Sequence, residues 1–315
     1  MTSRHRIDDY LATQRPYLAD GGLETTLIFH DGLDLPHFAA FTLLDSEGGR
    51  TALARYFERY LGIARDEGRG FVLDTATWRA NAAWGERMGL AADQIAQANR
   101  AAVAFAEALR ARHEAPGLPI VLNGVIGPSG DGYALEAALS PEEAEAIHAP
   151  QIGELAAAGA DMATAVTMTH AGEAAGVVRA AAAAGLPVAV SFTVETDGRL
   201  PSGQALPEAI AEVDGLTGAA PVYYMVNCAH PDHFAGALAA GEVWLERLGG
   251  LRANASRLSH AELDEAEDLD EGDPEEFGHL HAALIERLPA LRVLGGCCGT
   301  DHRHVSCVAH GLRAA

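Results

Sequence analysis

The chain has 315 residues, 49% of them hydrophobic and 21% charged, with a formal net charge of −22. That composition suits a large globular core in one or two domains, and 44 acidic against 22 basic residues leave no electrostatic footprint for nucleic acid or an anionic membrane. All 22 of the basic residues are arginines, which excludes Schiff-base chemistry and lysine general bases.

The polar start "MTSRHRIDDY" does not read as a secretory signal, and no apolar run reaches the roughly 18 residues of a membrane span. Four cysteines without regular spacing do not form a secreted disulfide framework. The expected home is the cytoplasm, with reduced thiols.

Short β-rich runs are expected at 17–20, 70–74, 119–123, 160–166, 187–192, 222–227, 248–253 and 292–295. Alanine-rich stretches with helical periodicity lie between them, at 51–67, 92–113, 141–158, 172–184 and 277–288. Strand–helix alternation points to a parallel sheet with helical crossovers. Eight repeats over this length fit an α/β fold of the single (β/α)8 TIM-barrel type, spanning 1–315, better than an open doubly wound sheet.

Local signals support this parse. In "SPEEAEAI" (140–147), Ser140 is the expected N-cap, Pro141 takes the first helical position and Glu143 completes a capping box. Pro150 is expected to kink the same helix, and Gly159, Gly185 and Gly241 are expected helix C-caps. The glycine-rich loop "GPSGDGY" (127–133) lacks the lysine and spacing of a P-loop. The acidic segment 255–276 has no apolar stripe and no EF-hand spacing. It reads as a solvated excursion between the seventh and eighth strands. No internal repeat or linker marks a second domain.

The cysteines carry the chemistry. Cys297 and Cys298 are neighbours in "VLGGCCGTDH" (293–302), and three readings compete: a disulfide, apolar filler, or metal ligands. Adjacent Cα atoms lie about 3.8 Å apart, below the roughly 4.4 Å lower limit of ordinary disulfides, so a bond between these two is disfavoured. Cys307, alone on an expected helix, reads as filler. In a barrel, active sites gather at the carboxyl ends of the strands. The pair follows the eighth strand, where Gly295 and Gly296 are expected to let the backbone turn sharply, and Cys228 closes the sixth in "YYMVNCAHP" (223–231). Three thiolates meeting at that rim would suit zinc with a fourth position open. Zinc coordination deprotonates a bound thiol outright, which is a route to S-alkylation.

"GGCCGT" (295–300), the strand-ending "NC" (227–228) and "DGG" (20–22) resemble the homocysteine S-methyltransferase family. "TATWRAN" (75–81), "NGVIGPSGDGY" (123–133), "HAPQIGELAAAGAD" (148–161) and "SFTVETDG" (191–198) agree in order, so the resemblance spans about 17–305. It implies a zinc-dependent (β/α)8 barrel that moves a methyl group from a small onium donor to homocysteine, giving methionine. It also implies Cys228, Cys297 and Cys298 as zinc ligands, and so as the catalytic centre acting through Zn2+. Asp20 then helps hold the substrate ammonium, Gly21 and Gly22 offer N–H donors to its carboxylate, Trp78 lies near the donor and Asn254 organises the rim. Arg79, beside Trp78, is a candidate partner for a substrate carboxylate.

One departure stands out. The family carries Glu-Thr at the end of the fourth strand, where this chain has Val166 and Thr167. Either another acid substitutes, with Glu24 and Glu195 as candidates, or the acceptor is a thiol other than homocysteine, without its free ammonium. S-methylmethionine is the first expected donor, followed by S-adenosylmethionine and betaine. The expected partners are this small-molecule donor and a thiol acceptor; a homo-oligomer is compatible with the reading. The competing reading is a zinc-dependent barrel hydrolase using histidines from "DHRH" (301–304), "AHPDH" (229–233) or His170. It leaves the vicinal thiols without a purpose.

Overall fold

Eight strands close into one parallel barrel in sequence order in the computed structural model, which describes residues 3–238 and 241–312. They are β1 (Tyr17–Leu18), β2 (Phe71–Asp74), β3 (Ile120–Ile126), β4 (Met162–Met168), β5 (Val188–Phe192), β6 (Tyr224–Asn227), β7 (Leu248–Ala253) and β8 (Val293–Gly296). Closure comes from β1 against β8, with Tyr17 opposite Val293 and Leu18 opposite Leu294. The (β/α)8 barrel expected from the alternating pattern is the observed fold.

Side chains of period two divide the strands between two cores. Leu18, Phe71, Leu73, Ile120 and Leu122 point outward and pack under the helices. Tyr17, Val72, Val121, Met162, Ala189, Met225 and Val293 point inward and fill the lower barrel. Strands buried on both faces read as nearly continuous apolar runs, which is why all eight were visible in the sequence. An unforeseen helix, Ser3–Ala12, caps the lower end: Tyr10 is fully buried among the inward residues, and its hydroxyl lies 2.8 Å from that of Tyr223.

Above the apolar layer the interior turns polar. Asn123 donates to Asp74 at 2.7 Å, and Thr164 donates to the Asn123 side-chain oxygen at 2.9 Å. The barrel is therefore plugged below and polar just beneath its carboxyl-terminal mouth.

Helix boundaries follow the local chemistry. Ser140 Oγ accepts the Glu143 N–H at 3.2 Å, and Glu143 accepts the Ser140 N–H at 2.9 Å, closing the capping box on Pro141–Ala158. That helix runs unbroken through Pro150. Gly159 and Gly185 end their helices in left-handed conformations, with φ of 98° and 67°. Gly241 also has positive φ, 89°, but residues 239–240, which precede it, lie outside the described part. The acidic segment, between β7 and β8, forms a short helix, His260–Asp264, then irregular chain up to the helix Pro274–Ile285. Most of it is exposed, while Leu263, Asp264 and Asp268 turn one side toward the barrel mouth.

Candidate active site

Cys228 follows β6 immediately, held by an N–H bond to the Arg252 carbonyl at 3.1 Å. Its φ is 52°, a left-handed conformation uncommon outside glycine and concentrated at functional sites. Cys297 follows β8, with its N–H on the Ala253 carbonyl at 2.8 Å. The sulfurs of Cys228, Cys297 and Cys298 all lie within 4.8 Å of one another. Three sulfurs from two strand ends thus meet at the mouth, while Cys307 sits apart against Gly278.

Within this trio, Cys228 and Cys297 are joined as a disulfide, and Cys298 is free. The bond spans two strands, not the adjacent pair weighed from the sequence. A disulfide sulfur is not a thiolate, so a metal on all three requires prior two-electron reduction. The donor set itself fits zinc, since soft sulfur ligands gathered at one point select that ion over magnesium or calcium. Burial pushes the Cys298 thiol up to about 11. Without a cation beside it, Cys298 is protonated at neutral pH.

The glycines before the pair act differently from expectation. Neither Gly295 nor Gly296 has positive φ; the left-handed residue is Gly299, at 76°. A Cβ on Gly296 would lie 1.9 Å from Thr300 Oγ1, and one on Gly295 would lie 2.6 Å from the Asp20 carbonyl. Gly295 is small because the backbone passes close to the end of β1, and Gly296 because Thr300, in the turn that follows the cysteines, packs against it.

Asn227 locks the neighbouring strand. Its Oδ1 accepts the Thr167 N–H at 2.9 Å and the Ser191 hydroxyl at 2.6 Å, while its Nδ2 donates to Thr167 Oγ1 at 2.9 Å. Thr167 is held at φ 60°, unusual for a β-branched residue. The register of β4 against β5 shifts between Ala165 and Met168, and Val166 lines the pocket beside the cysteines.

Two cavities share this site. The inner pocket, about 100 Å³, is lined by Asp20, Gly21, Gly22, Trp78, Thr167 and the three cysteines, among others. At its floor Arg252 forms ion pairs with both Asp20 and Asp74 and donates from Nε to the Gly296 carbonyl at 3.2 Å. Tyr56 donates to the second Asp20 oxygen at 3.0 Å. Burial raises the Asp20 carboxyl above the usual range, with Arg252 opposing. Gly22 already donates its N–H to the Thr300 carbonyl at 2.9 Å.

The outer chamber, about 210 Å³, opens above the first and is lined by Phe29, Phe38, Arg79, Asp131 and part of the acidic segment. The Arg79 guanidinium lies 3.8 Å from the Trp78 ring centre and 3.7 Å from that of Trp84. It donates to the Gly130 carbonyl at 3.1 Å, and burial lowers it to about 10. Burial also pushes Glu24, which lines both cavities, up to about 7.

Glu195 and Asn254 line neither cavity. Glu195 lies 3.1 Å from His260 Nδ1. His260 Nε2 is 2.7 Å from the Cys228 carbonyl, and its ring stacks on Tyr133 with centres 4.2 Å apart. The Tyr133 hydroxyl is 3.1 Å from Cys298 Sγ. The Asn254 backbone N–H reaches the Ala229 carbonyl at 3.0 Å, while its side-chain oxygen is buried without a partner. Arg252, Tyr133 and His260 were not singled out from the sequence. Only the fold brings them to the cysteines.

The histidines proposed for hydrolysis are used elsewhere. His170 accepts the Glu173 N–H at its helix start, and His304 sits between Asp301 and the Glu271 carbonyl. Neither His302 nor His304 lines either cavity. Among the described residues a second group that could hold a metal is His30, Glu271 and Asp301, but Arg303 pairs with both of its carboxylates.

Residues 17–312 match the family described as Homocysteine S-methyltransferase. Among solved structures the chain is similar to the homocysteine methyltransferase MmuM from Escherichia coli. Its oxidised form is 20% identical over 96% of this chain and 98% of that one, with a TM-score of 0.73. Its metallated form is 19% identical over 97% and 99%, with a TM-score of 0.71. At these identities the likeness is one of fold. Comparison with curated proteins finds no match. No described helix is long and apolar enough to cross a membrane.

Proposed function

The chain belongs to the homocysteine S-methyltransferase family and is a methyltransferase; on that premise we propose that it moves a methyl group from a small onium donor to a thiol, with zinc held by Cys228, Cys297 and Cys298. The observation that carries this reading is the meeting of these three sulfurs at one point of the barrel mouth. When bound, zinc supplies deprotonation of the incoming thiol at neutral pH.

The chain's own residues do the rest. Asn227 fixes the strand ends beside the sulfurs, the Tyr133 hydroxyl steadies Cys298, and Trp78 offers a ring face to a cationic donor. The acceptor sulfur forms a bond to the methyl carbon as the carbon–onium bond breaks. The electron pair of that bond stays on the donor, which leaves neutral, and the thiol proton goes to solvent. Charge is consumed as the reaction proceeds, so a partly dry pocket favours it. A site that needs three thiolates fits a reducing compartment such as the cytoplasm.

Homocysteine is the first acceptor to test, and S-methylmethionine the first donor, ahead of S-adenosylmethionine and betaine. A second reading, a thiol lacking a free amine, is favoured by Arg252. With Asp20 already paired to this guanidinium and Val166 beside it in the pocket, the inner floor offers a substrate ammonium no free carboxylate, and the unpaired acid lining the pocket is Glu24, at its neck. A mass-spectrometric screen of thiols against methyl-onium donors, run with reduced, zinc-loaded protein, decides between them. Methylated product is expected with at least one pair; no product with any pair removes the proposal, and product only from amine-free thiols selects the second reading.

A further inference from the structure

Glu24 stands on the short helix Leu23–Thr25, directly after the glycine pair, and lines both cavities. Thr25, Trp78, Tyr133 and Cys298 are the other residues common to the two. These five mark the neck through which the outer chamber reaches the cysteines, and Glu24 brings the only carboxylate among them. It is half-buried. No described residue forms an ion pair with it, and apart from its own backbone N–H no donor meets its carboxylate.

The nearby cations are committed elsewhere. Arg252 is held by Asp20 and Asp74, and Arg79 is sandwiched between two indole rings with its Nη1 on a carbonyl. A carboxylate drawn partly out of water with no ion pair, and only through-space attraction from Arg79 and Arg252, is unfavourable by itself, so the neck suits a cation that arrives from outside. The other walls say which kind. Trp78 and Tyr133 present aromatic rings beside Glu24, and Phe29 and Phe38 stand at the chamber rim 46% and 47% exposed. Aromatic faces attract a cation without offering it hydrogen-bond acceptors, which suits a methylated onium more than a metal ion or a primary amine.

We infer that Glu24 is the counter-charge that holds a sulfonium or quaternary ammonium in the neck, and that it selects the methyl donor by charge. The inference rests on the methyl-transfer reading only for calling this cation the donor. Asp264 and Asp268, across the chamber, add a negative field that draws the same cation inward.

The test compares choline with its uncharged isostere 3,3-dimethylbutan-1-ol, binding to the reduced, zinc-loaded protein by calorimetry. Wild type is expected to prefer choline by about tenfold or more. Glu24→Gln should remove most of that preference while leaving affinity for the isostere and zinc content unchanged. Glu24→Asp, which keeps the charge, should retain part of it and guards against a variant that merely misfolds. Equal binding of the two probes by wild type, or an unchanged preference in Glu24→Gln, overturns the inference. Charge-selective binding that depends on Glu24 supports it even if no thiol is ever methylated, so its fate is separable from that of the proposed reaction.

Discussion

The inner pocket and the outer chamber meet at one neck, and their charges are met in opposite ways. On the inner floor two carboxylates, Asp20 and Asp74, are answered by one guanidinium from β7. At the neck and in the chamber above, Glu24, Asp264 and Asp268 line a cavity that also holds aromatic rings, and none of the three forms an ion pair among the described residues. Arg79, the one cation in that wall, is turned into a stacking element between Trp78 and Trp84. On the proposed reading, the difference separates two binding problems on one barrel: a charge-compensated pocket beside the sulfurs for the acceptor, and a more acidic chamber for a cation.

The largest expected effect lies at the junction of the two regions. Cys298→Ser or Cys228→Ser should lose zinc, measured by elemental analysis of reduced protein, and lower methyl transfer on the order of a thousandfold. Full activity in either variant would mean the sulfurs are packing only. Next is the inner floor. Arg252→Met leaves two buried carboxylates facing each other and should cost about 3–5 kcal/mol in denaturant unfolding. Adding Asp20→Asn and Asp74→Asn should restore most of that loss. If Arg252→Met alone is neutral, the inner pocket is not charge-compensated and the contrast between the regions fails.

How much of this was legible from residues alone depends on range. The eight strands, of two residues in β1 and four to seven in the others, could be read because a parallel barrel buries both faces of each, leaving largely apolar runs. The sulfur trio could be placed because strand ends locate a barrel's chemistry. The helix Ser3–Ala12 escaped because it buries only Ile7 and Tyr10, too few to show a stripe. The Cys228–Cys297 bond escaped because 69 residues separate its partners, whereas the adjacency of Cys297 and Cys298 drew attention to the wrong pair. Arg252 carried no signal in "LGGLRANAS". Only the pairing of β7 with β8, which sets Arg252 opposite Gly295, aims it at Asp20 over a residue with no side chain. Gly295 and Gly296 read as turn formers in the sequence, but their task is close approach, to β1 for Gly295 and to Thr300 for Gly296, a distinction that needs the folded chain.

Two smaller effects sharpen the contrast. Burial raises the Cys298 thiol to about 11, so in metal-free protein its thiolate fraction at pH 8 should be about a hundredfold below that of a free thiol. Iodoacetamide labelling of Cys298, followed by peptide mass spectrometry, should rise with pH until near 11. Saturation already at pH 8 would show that the inner pocket is as wet as the chamber above. Val166→Glu is expected to favour an amine-bearing acceptor. A charge-assisted hydrogen bond worth roughly 1.5–3 kcal/mol should raise the kcat/KM ratio of homocysteine to an amine-free thiol about tenfold or more. An unmoved ratio would place the acceptor's amine outside the inner pocket.

The most direct measurement is zinc-edge X-ray absorption on reduced, zinc-loaded protein, before and after adding an acceptor thiol. Three sulfurs and one lighter atom are expected around the metal, becoming four sulfurs when the thiol enters. Two or fewer protein sulfurs, or a sulfur count that does not change with thiol, would contradict the proposed zinc site.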